Sequence, residues 1–170
     1  MKYLETDNEI YFYSHKIYKY SCFSNFYESY FIEDNIEYCN SEQYFMYNKC
    51  LLFDKNNNEL LNNILNETSP TKIKKYGRQV KNYNDEIWNE KRYDIMKNAL
   101  ILKFSQNEDI KTILLETNNK ILYEASKFDK IWGIWYFPSQ VINADKNKFG
   151  KNLLGLCLME VRNLLKNINN

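Results

Sequence analysis

The chain has 170 residues, with 23 basic and 22 acidic side chains and a formal net charge of +1. That length fits one domain around a single hydrophobic core. A nearly neutral chain has no global attraction for nucleic acid or membranes, so any polyanion contact must come from a local cluster. No apolar run is long enough to span a bilayer.

Residues 1–10 are polar and acidic and do not resemble a signal peptide, which makes the cytoplasm the expected compartment. The cysteines, Cys22, Cys39, Cys50 and Cys157, form no C-x-x-C pair, and only His15 could join them as a ligand. No metal site and no cofactor are expected, and the cysteines read as small buried hydrophobes. Aromatic residues make up 16% of the chain, 15 of them Tyr, while Gly numbers 4 and Pro 2. The prominence of Asn, Lys, Ile and Tyr suggests an AT-rich genome, so some of the Tyr and Asn reflects coding bias, which lowers the weight of any single Tyr.

Residues 9–20 are aromatic and β-branched and predict a strand. In 27–38, apolar runs broken by Glu33-Asp34-Asn35 predict a hairpin. Ser41 reads as the N-cap of a helix reaching about Asp54, with Phe45, Leu52 and Phe53 at helical spacing. A loop at 56–58 precedes a short helix at 59–66. Pro70 suits the first turn of the next helix and Gly77 its C-cap. The longest helix is expected over 84–104, with Trp88, Ile95, Met96, Ala99, Leu100 and Leu102 on its buried face. Another follows over 107–116. Residues 120–125 and 131–137 read as strands and 145–151 as a polar loop. The helix at 152–165 carries Leu153, Leu154, Cys157, Leu158, Val161 and Leu165 at helical positions. The pattern predicts a compact, helix-rich α+β domain with a small antiparallel sheet, spanning 1–170 as one unit.

With one histidine, any Ser-His-Asp or Cys-His site would depend on His15, which sits in a Tyr-rich segment and reads as a strand-face residue. There is no glycine-rich phosphate loop. Carboxylates beside aromatics remain. Glu42 falls in a first helical turn, where the macrodipole favours its ionised form. An ionised carboxylate there can steady a ribosyl cation or activate water, although position alone favours an ordinary dipole-satisfying glutamate. Glu124 lies in an apolar strand, where burial would raise its pKa and make it an acid. Asp129 sits at a loop-to-strand transition and by itself reads as a turn residue. Trp88, Trp132 and Trp135 are either core or a stacking surface for a flat base. Lys49 shares a helix face with Glu42 two turns on, where it steadies the carboxylate, binds phosphate or is simply solvated. Arg78, Arg92 and Arg162 are possible phosphate ligands, and Arg78 is favoured because it lies where a helix meets a loop.

Taken in order, several short motifs are more specific than any one of them. They are Phe23-Ser24-Asn25-Phe26-Tyr27; Ser41-Glu42 with Lys49; Gly77-Arg78; Trp88; Lys103-Phe104 with Gln106; Leu114-Leu115 with Thr117; Glu124; Asp129 with Trp132-Gly133; and Gly150, Asn152, Gly155, Leu158-Met159 and Arg162. This collinear series, from about Cys22 to Arg162, resembles the NADAR, or YbiA-like, family. The resemblance implies a metal-free, helix-rich α+β domain that hydrolyses the N-glycosidic bond of a ribosylated base. Two substrate types are implied: phosphoribosylated intermediates of riboflavin biosynthesis, and ADP-ribosyl groups on guanine. It places the active site on Glu42, Trp88, Asp129 and Trp132, with Asn25, Lys49, Glu124 and Asn152 lining it; Arg78, at its helix end, is a further substrate-binding candidate from the residues themselves. The sequence departs from the family pattern at Gln43, where His is common, at Met46 for Gln, at Asn89 for an acid, and at 134–138, where a glycine-rich run is usual. These departures bear on which substrate is taken. The alternative to an enzyme is a module that binds ADP-ribose or NAD derivatives without cleaving them. No membrane contact and no strong nucleic-acid affinity are expected.

Overall fold

The computed structural model describes residues 2–16 and 18–168. In chain order the elements are β1 (Tyr3–Glu5), β2 (Glu9–Phe12), β3 (Phe31–Glu33), β4 (Ile36–Tyr38), α1 (Ser41–Phe53), α2 (Asn58–Leu65), α3 (Pro70–Gly77), α4 (Asp85–Ser105), α5 (Glu108–Glu116), β5 (Ile121–Glu124) and α6 (Leu153–Ile168). The architecture is the expected helix-rich α+β. Contacts divide it into two units, Met1–Tyr27 with Glu108–Asn170, and Glu28–Asn107. Among the described residues no helix is long and apolar enough to cross a membrane.

In the first unit the sheet order is β1-β2-β5. β1 pairs antiparallel with β2, but β2 runs parallel to β5, so the sheet is mixed rather than antiparallel as expected. A parallel neighbour far along the chain needs a long connection, which hydrophobic alternation cannot reveal. Strand β1 lies within the segment read only as polar; Met1 of that segment is outside the described residues. The strand expected over 9–20 stops at Phe12, because the chain turns through Ser14 at φ 76°. Ile17 of that segment lies outside the described residues. His15 is therefore an exposed bend residue, its ring 5.8 Å from Phe26. The core holds Ile10, Tyr11 and Phe12 of β2, Leu122 of β5, and Leu154, Cys157, Leu158 and Val161 of α6. α6 packs directly on β5 at Gly155, where a Cβ would stand 2.1 Å from the Leu122 carbonyl oxygen. Arg162 is buried on α6 and donates to Thr117 Oγ1 and the Lys120 carbonyl, both at 2.8 Å, so it is a structural clamp.

The strand expected over 131–137 does not form. Trp135 is left-handed at φ 68°, and the segment's backbone groups go elsewhere. Ile134 N–H donates to the Glu124 carbonyl at 2.9 Å, while the carbonyls of Ile131, Trp132, Gly133 and Ile134 accept from residues of 150–154. Aromatic, β-branched composition suited a strand, but these pairings hold a turn.

In the second unit the hairpin of β3 and β4 forms where expected, and Asp34 and Asn35 make its turn at φ 49° and 63°. Short polar side chains that tolerate the left-handed region replace the missing glycine. Gln106 continues the pairing beyond β3, its amide accepting from Ile32 N–H and donating to Ile32 O at 2.8 Å each. α1 packs against α2, α3 and α4. Its N-cap is Asn40 rather than Ser41: Asn40 Oδ1 accepts from Gln43 N–H at 2.9 Å. Gly77 is the last residue of α3 and has no positive φ, so it is not a left-handed cap. Its role is contact, since a Cβ there would stand 1.9 Å from Met46 Sδ.

Candidate functional site

In the Glu28–Asn107 unit, the start of α1 is fixed by a reciprocal pair. Asn40 caps Gln43 N–H, and Gln43 Oε1 accepts from Cys39 N–H at 2.7 Å. Gln43 Nε2 also reaches the carbonyls of Ile64, Leu65 and Glu67 at 2.9, 3.0 and 2.9 Å. The Gln43 side chain, 1% exposed, thus locks α1 to the end of α2 and is spent on the fold rather than turned to a ligand. Glu42 is carried beside it in the first helical turn, 5% exposed, where the helix dipole favours a carboxylate.

Two turns on, Lys49 is half-buried rather than solvated. Its ammonium donates to the Gly77 carbonyl at 2.9 Å and lies 4.5 Å from the Tyr83 ring and 5.7 Å from the Trp88 ring. Burial pushes its pKa below the ordinary lysine value; the Glu42 charge opposes that shift and the Arg78 charge adds to it. Trp88, 7% exposed, packs its ring on Phe45 at 4.8 Å and Phe53 at 6.2 Å. Arg78 is exposed as the C-cap of α3. Glu42, Lys49, Arg78 and Trp88 therefore belong to one neighbourhood of α1, α3 and α4. Met46 fills the space over Gly77, and Asn89 is exposed on α4.

In the other unit, Asp129 forms an Asx turn. Its Oδ1 accepts from both Ile131 and Trp132 N–H at 2.8 Å. One oxygen is thereby pinned, and Oδ2 takes no hydrogen bond from the described residues. Trp132 follows in the same turn, half-buried. Glu124 ends β5, and its position is set by its backbone: N–H donates to Asn152 Oδ1 at 2.9 Å, and the carbonyl accepts from Ile134 N–H at 2.9 Å. Asn152 Nδ2 donates to the Leu122 carbonyl at 2.9 Å, so both ends of its amide are used on β5. Asn152 thus supports Glu124 from within the protein. Its φ of 53° and its carbonyl, which accepts from Leu156 N–H, make it the start of α6. Gly133 and Gly150 let these turns approach: a Cβ on Gly133 would lie 2.9 Å from the Glu124 carbonyl oxygen, and one on Gly150 2.4 Å from that of Gly133. Asn25 lies half-buried just after Ser24, and its Oδ1 is enclosed with no hydrogen-bond partner among the described residues.

Each unit thus holds its own set: Glu42, Lys49, Arg78 and Trp88 in one, Glu124, Asp129, Trp132 and Asn152 in the other. Trp135 is exposed, with Lys130 Nζ 3.2 Å over its ring. Among the described residues no three His, Cys, Asp or Glu side chains form a metal-binding set. Sequence reasoning missed Asn40 and the structural use of Gln43, and it ranked Arg92 below the exposed Arg78. The signal for Arg92 was present: Trp88, Arg92, Met96, Ala99 and Lys103 repeat at helical spacing, and all five are buried.

The fold is that of an α+β protein solved by NMR, YbiA of Escherichia coli. The two match with a TM-score of 0.76 and 28% identity over 99% of this chain and 91% of that one. The NADAR domain model matches residues 11–166, and the chain belongs to the NADAR family. Similar relatives include N-glycosidase R617 of Acanthamoeba polyphaga mimivirus, 45% identical over 131 residues covering 76% of each chain. Protein irg-1 of Caenorhabditis elegans is 40% identical over 157 residues, 82% of this chain and 73% of its own. YbiA of E. coli strain K12, named an N-glycosidase, is 30% identical over 146 residues, 86% of this chain and 82% of its own.

Proposed function

We propose that this chain hydrolyses the bond between a ribose and a nitrogen base, taking either a phosphoribosylated riboflavin-pathway intermediate or an ADP-ribosylated guanine. It is an enzyme of the N-glycosidase class, in keeping with its NADAR membership and its relatives. The observation that carries the proposal is Glu42, a carboxylate 5% exposed in the first turn of α1. Burying a carboxylate is costly unless its surroundings favour the charge, and the helix start supplies such a field.

In this scheme the C–N bond breaks with its electron pair leaving on the base nitrogen, which takes a proton from an acid, assigned to Glu124. The developing positive charge at the anomeric carbon is stabilised by a carboxylate, and water adds there after giving a proton to a base. Glu42 or Asp129 performs these carboxylate roles. The pinned Oδ1 of Asp129 fixes its orientation and leaves Oδ2 for the reaction. Trp132, half-buried, offers a stacking face for the base, and Trp88 packs against Phe45 and Phe53, with the Lys49 ammonium 5.7 Å from its ring. We further propose that the chain works as one domain in the cytoplasm.

Incubation with riboflavin-pathway ribosylamines and with ADP-ribosylated guanine, followed by chromatography of released base, tests the proposal. Free base from at least one substrate supports it. Binding of ADP-ribose with no release from either would instead make the chain a non-catalytic reader.

A further inference from the structure

Arg92 is a buried cation without a counterpart. It lies on α4 one turn beyond Trp88 and is 9% exposed. Its Nε is enclosed with no hydrogen-bond partner, and no ion pair or other hydrogen bond engages its guanidinium among the described residues. The other buried cations are engaged within the fold. Arg162 is tied to Thr117 and Lys120, and Lys103 Nζ lies 5.3 Å from the Phe104 ring; the half-buried Lys49 donates to the Gly77 carbonyl. A buried charge left uncompensated is destabilising and persists only where something else requires it.

The surroundings indicate what that is. The Tyr83 hydroxyl is pushed up by burial and by its bond to Asp85, and the Arg92 charge opposes the rise, which places the guanidinium within electrostatic reach of that ring. Lys49 lies over the same ring and over Trp88, and the buried Arg92 stands one helical turn beyond Trp88 on α4. Arg78 is close enough to act on Lys49, and Glu42 and Asp85 are the acidic groups in range of Lys49. A planar guanidinium with unused donors beside an ammonium matches a phosphoryl group.

We propose that Arg92, with Lys49, binds the phosphoryl group on the 5′ oxygen of the substrate's ribose. This rests on the proposed ribosyl substrate, and both candidate substrates carry that phosphoester. Arg92 is then a specificity residue, setting affinity for phosphorylated over plain ribose.

The test needs no turnover, so it remains informative if hydrolysis is never observed. Ribose 5-phosphate and ribose are titrated by calorimetry into the wild-type chain and Arg92→Met, and both proteins are melted. Ribose 5-phosphate is expected to bind the wild type at least tenfold more tightly than ribose. Arg92→Met is expected to lose tenfold or more for ribose 5-phosphate, leave ribose unchanged, and melt at or above the wild-type temperature. The proposal is overturned by equal affinity of the wild type for both sugars or by undiminished ribose 5-phosphate binding in Arg92→Met. A fall in melting temperature or a failure to fold would also overturn it, because each would make Arg92 a structural residue. ADP-ribose, titrated alongside, is expected to lose affinity in Arg92→Met together with ribose 5-phosphate.

Discussion

Replacing Gly155 by Ala sets two effects of opposite sign against each other. Gly155 lies in the first turn of α6, and an alanine in a helix is favoured over glycine by about 1 kcal/mol. Against this, the new Cβ would stand 2.1 Å from the Leu122 carbonyl oxygen, 2.5 Å from Asn152 Nδ2 and 2.7 Å from its Oδ1. The backbones of α6 and β5 must separate by 1.3 Å merely to restore a 3.4 Å contact with Leu122. The two Asn152 hydrogen bonds, each 2.9 Å, hold that same junction and do not survive such a shift. Leaving the Glu124 N–H and Leu122 carbonyl unsatisfied costs about 1–3 kcal/mol apiece. The clash therefore outweighs the helix gain, with a net loss of about 3 kcal/mol and a melting temperature lower by about 6–12 °C for a chain of this size. Gly77→Ala is the control. Its Cβ meets Met46 Sδ at 1.9 Å and Cγ at 2.9 Å, but these atoms belong to one flexible side chain that can rotate away, so the loss is expected to be about 1 kcal/mol or less. Thermal melts followed by circular dichroism compare the two. A Gly155→Ala variant as stable as wild type, or no less stable than Gly77→Ala, would refute the reasoning.

Asn40→Ala removes the α1 cap and is expected to cost about 1–2 kcal/mol, read as a reduced urea midpoint at constant slope. Glu5 has its carboxyl held below the ordinary 4.5 by hydrogen bonds from Lys120 and Tyr20, against a smaller opposing effect of burial. Its folded-state pKa is depressed, so the stability it contributes is present above pH 4.5 and is lost as pH falls through the lower folded value. Glu5→Gln should therefore flatten that part of the acid limb of a melting-temperature profile, and an unchanged slope there would show that the pairing contributes nothing.

The sequence made the helices legible because each carries its own local signal. Asn84 caps α4 through Ile87 N–H, and the stripe from Trp88 through Ala99 marks its buried face. The hairpin was legible from Asp34-Asn35. What failed depended on partners distant in sequence. The parallel pairing of β2 with β5 joins residues more than a hundred positions apart. Segment 131–137 has strand composition, yet its backbone is claimed by Asp129, Glu124 and 150–154. At the candidate site, Glu42 and Asp129 were weak as single residues and stood out only through the family resemblance. Asn152 was read as lining a pocket, whereas its amide is used on β5. Gln43 was read as a specificity difference, whereas its amide joins α1 to α2. A polar side chain carries no local mark of whether it will meet a ligand or a carbonyl of its own chain.

The most direct test of the carboxylate mechanism is single-turnover release of free base by Glu42→Gln and Asp129→Asn, measured on whichever substrate the wild type cleaves. Each variant keeps the size of the side chain and removes its charge. Both are expected to fall by about 10²–10⁴-fold in rate while retaining the wild-type circular dichroism spectrum. Near-wild-type release by both would contradict the assignment of the chemistry to these two carboxylates.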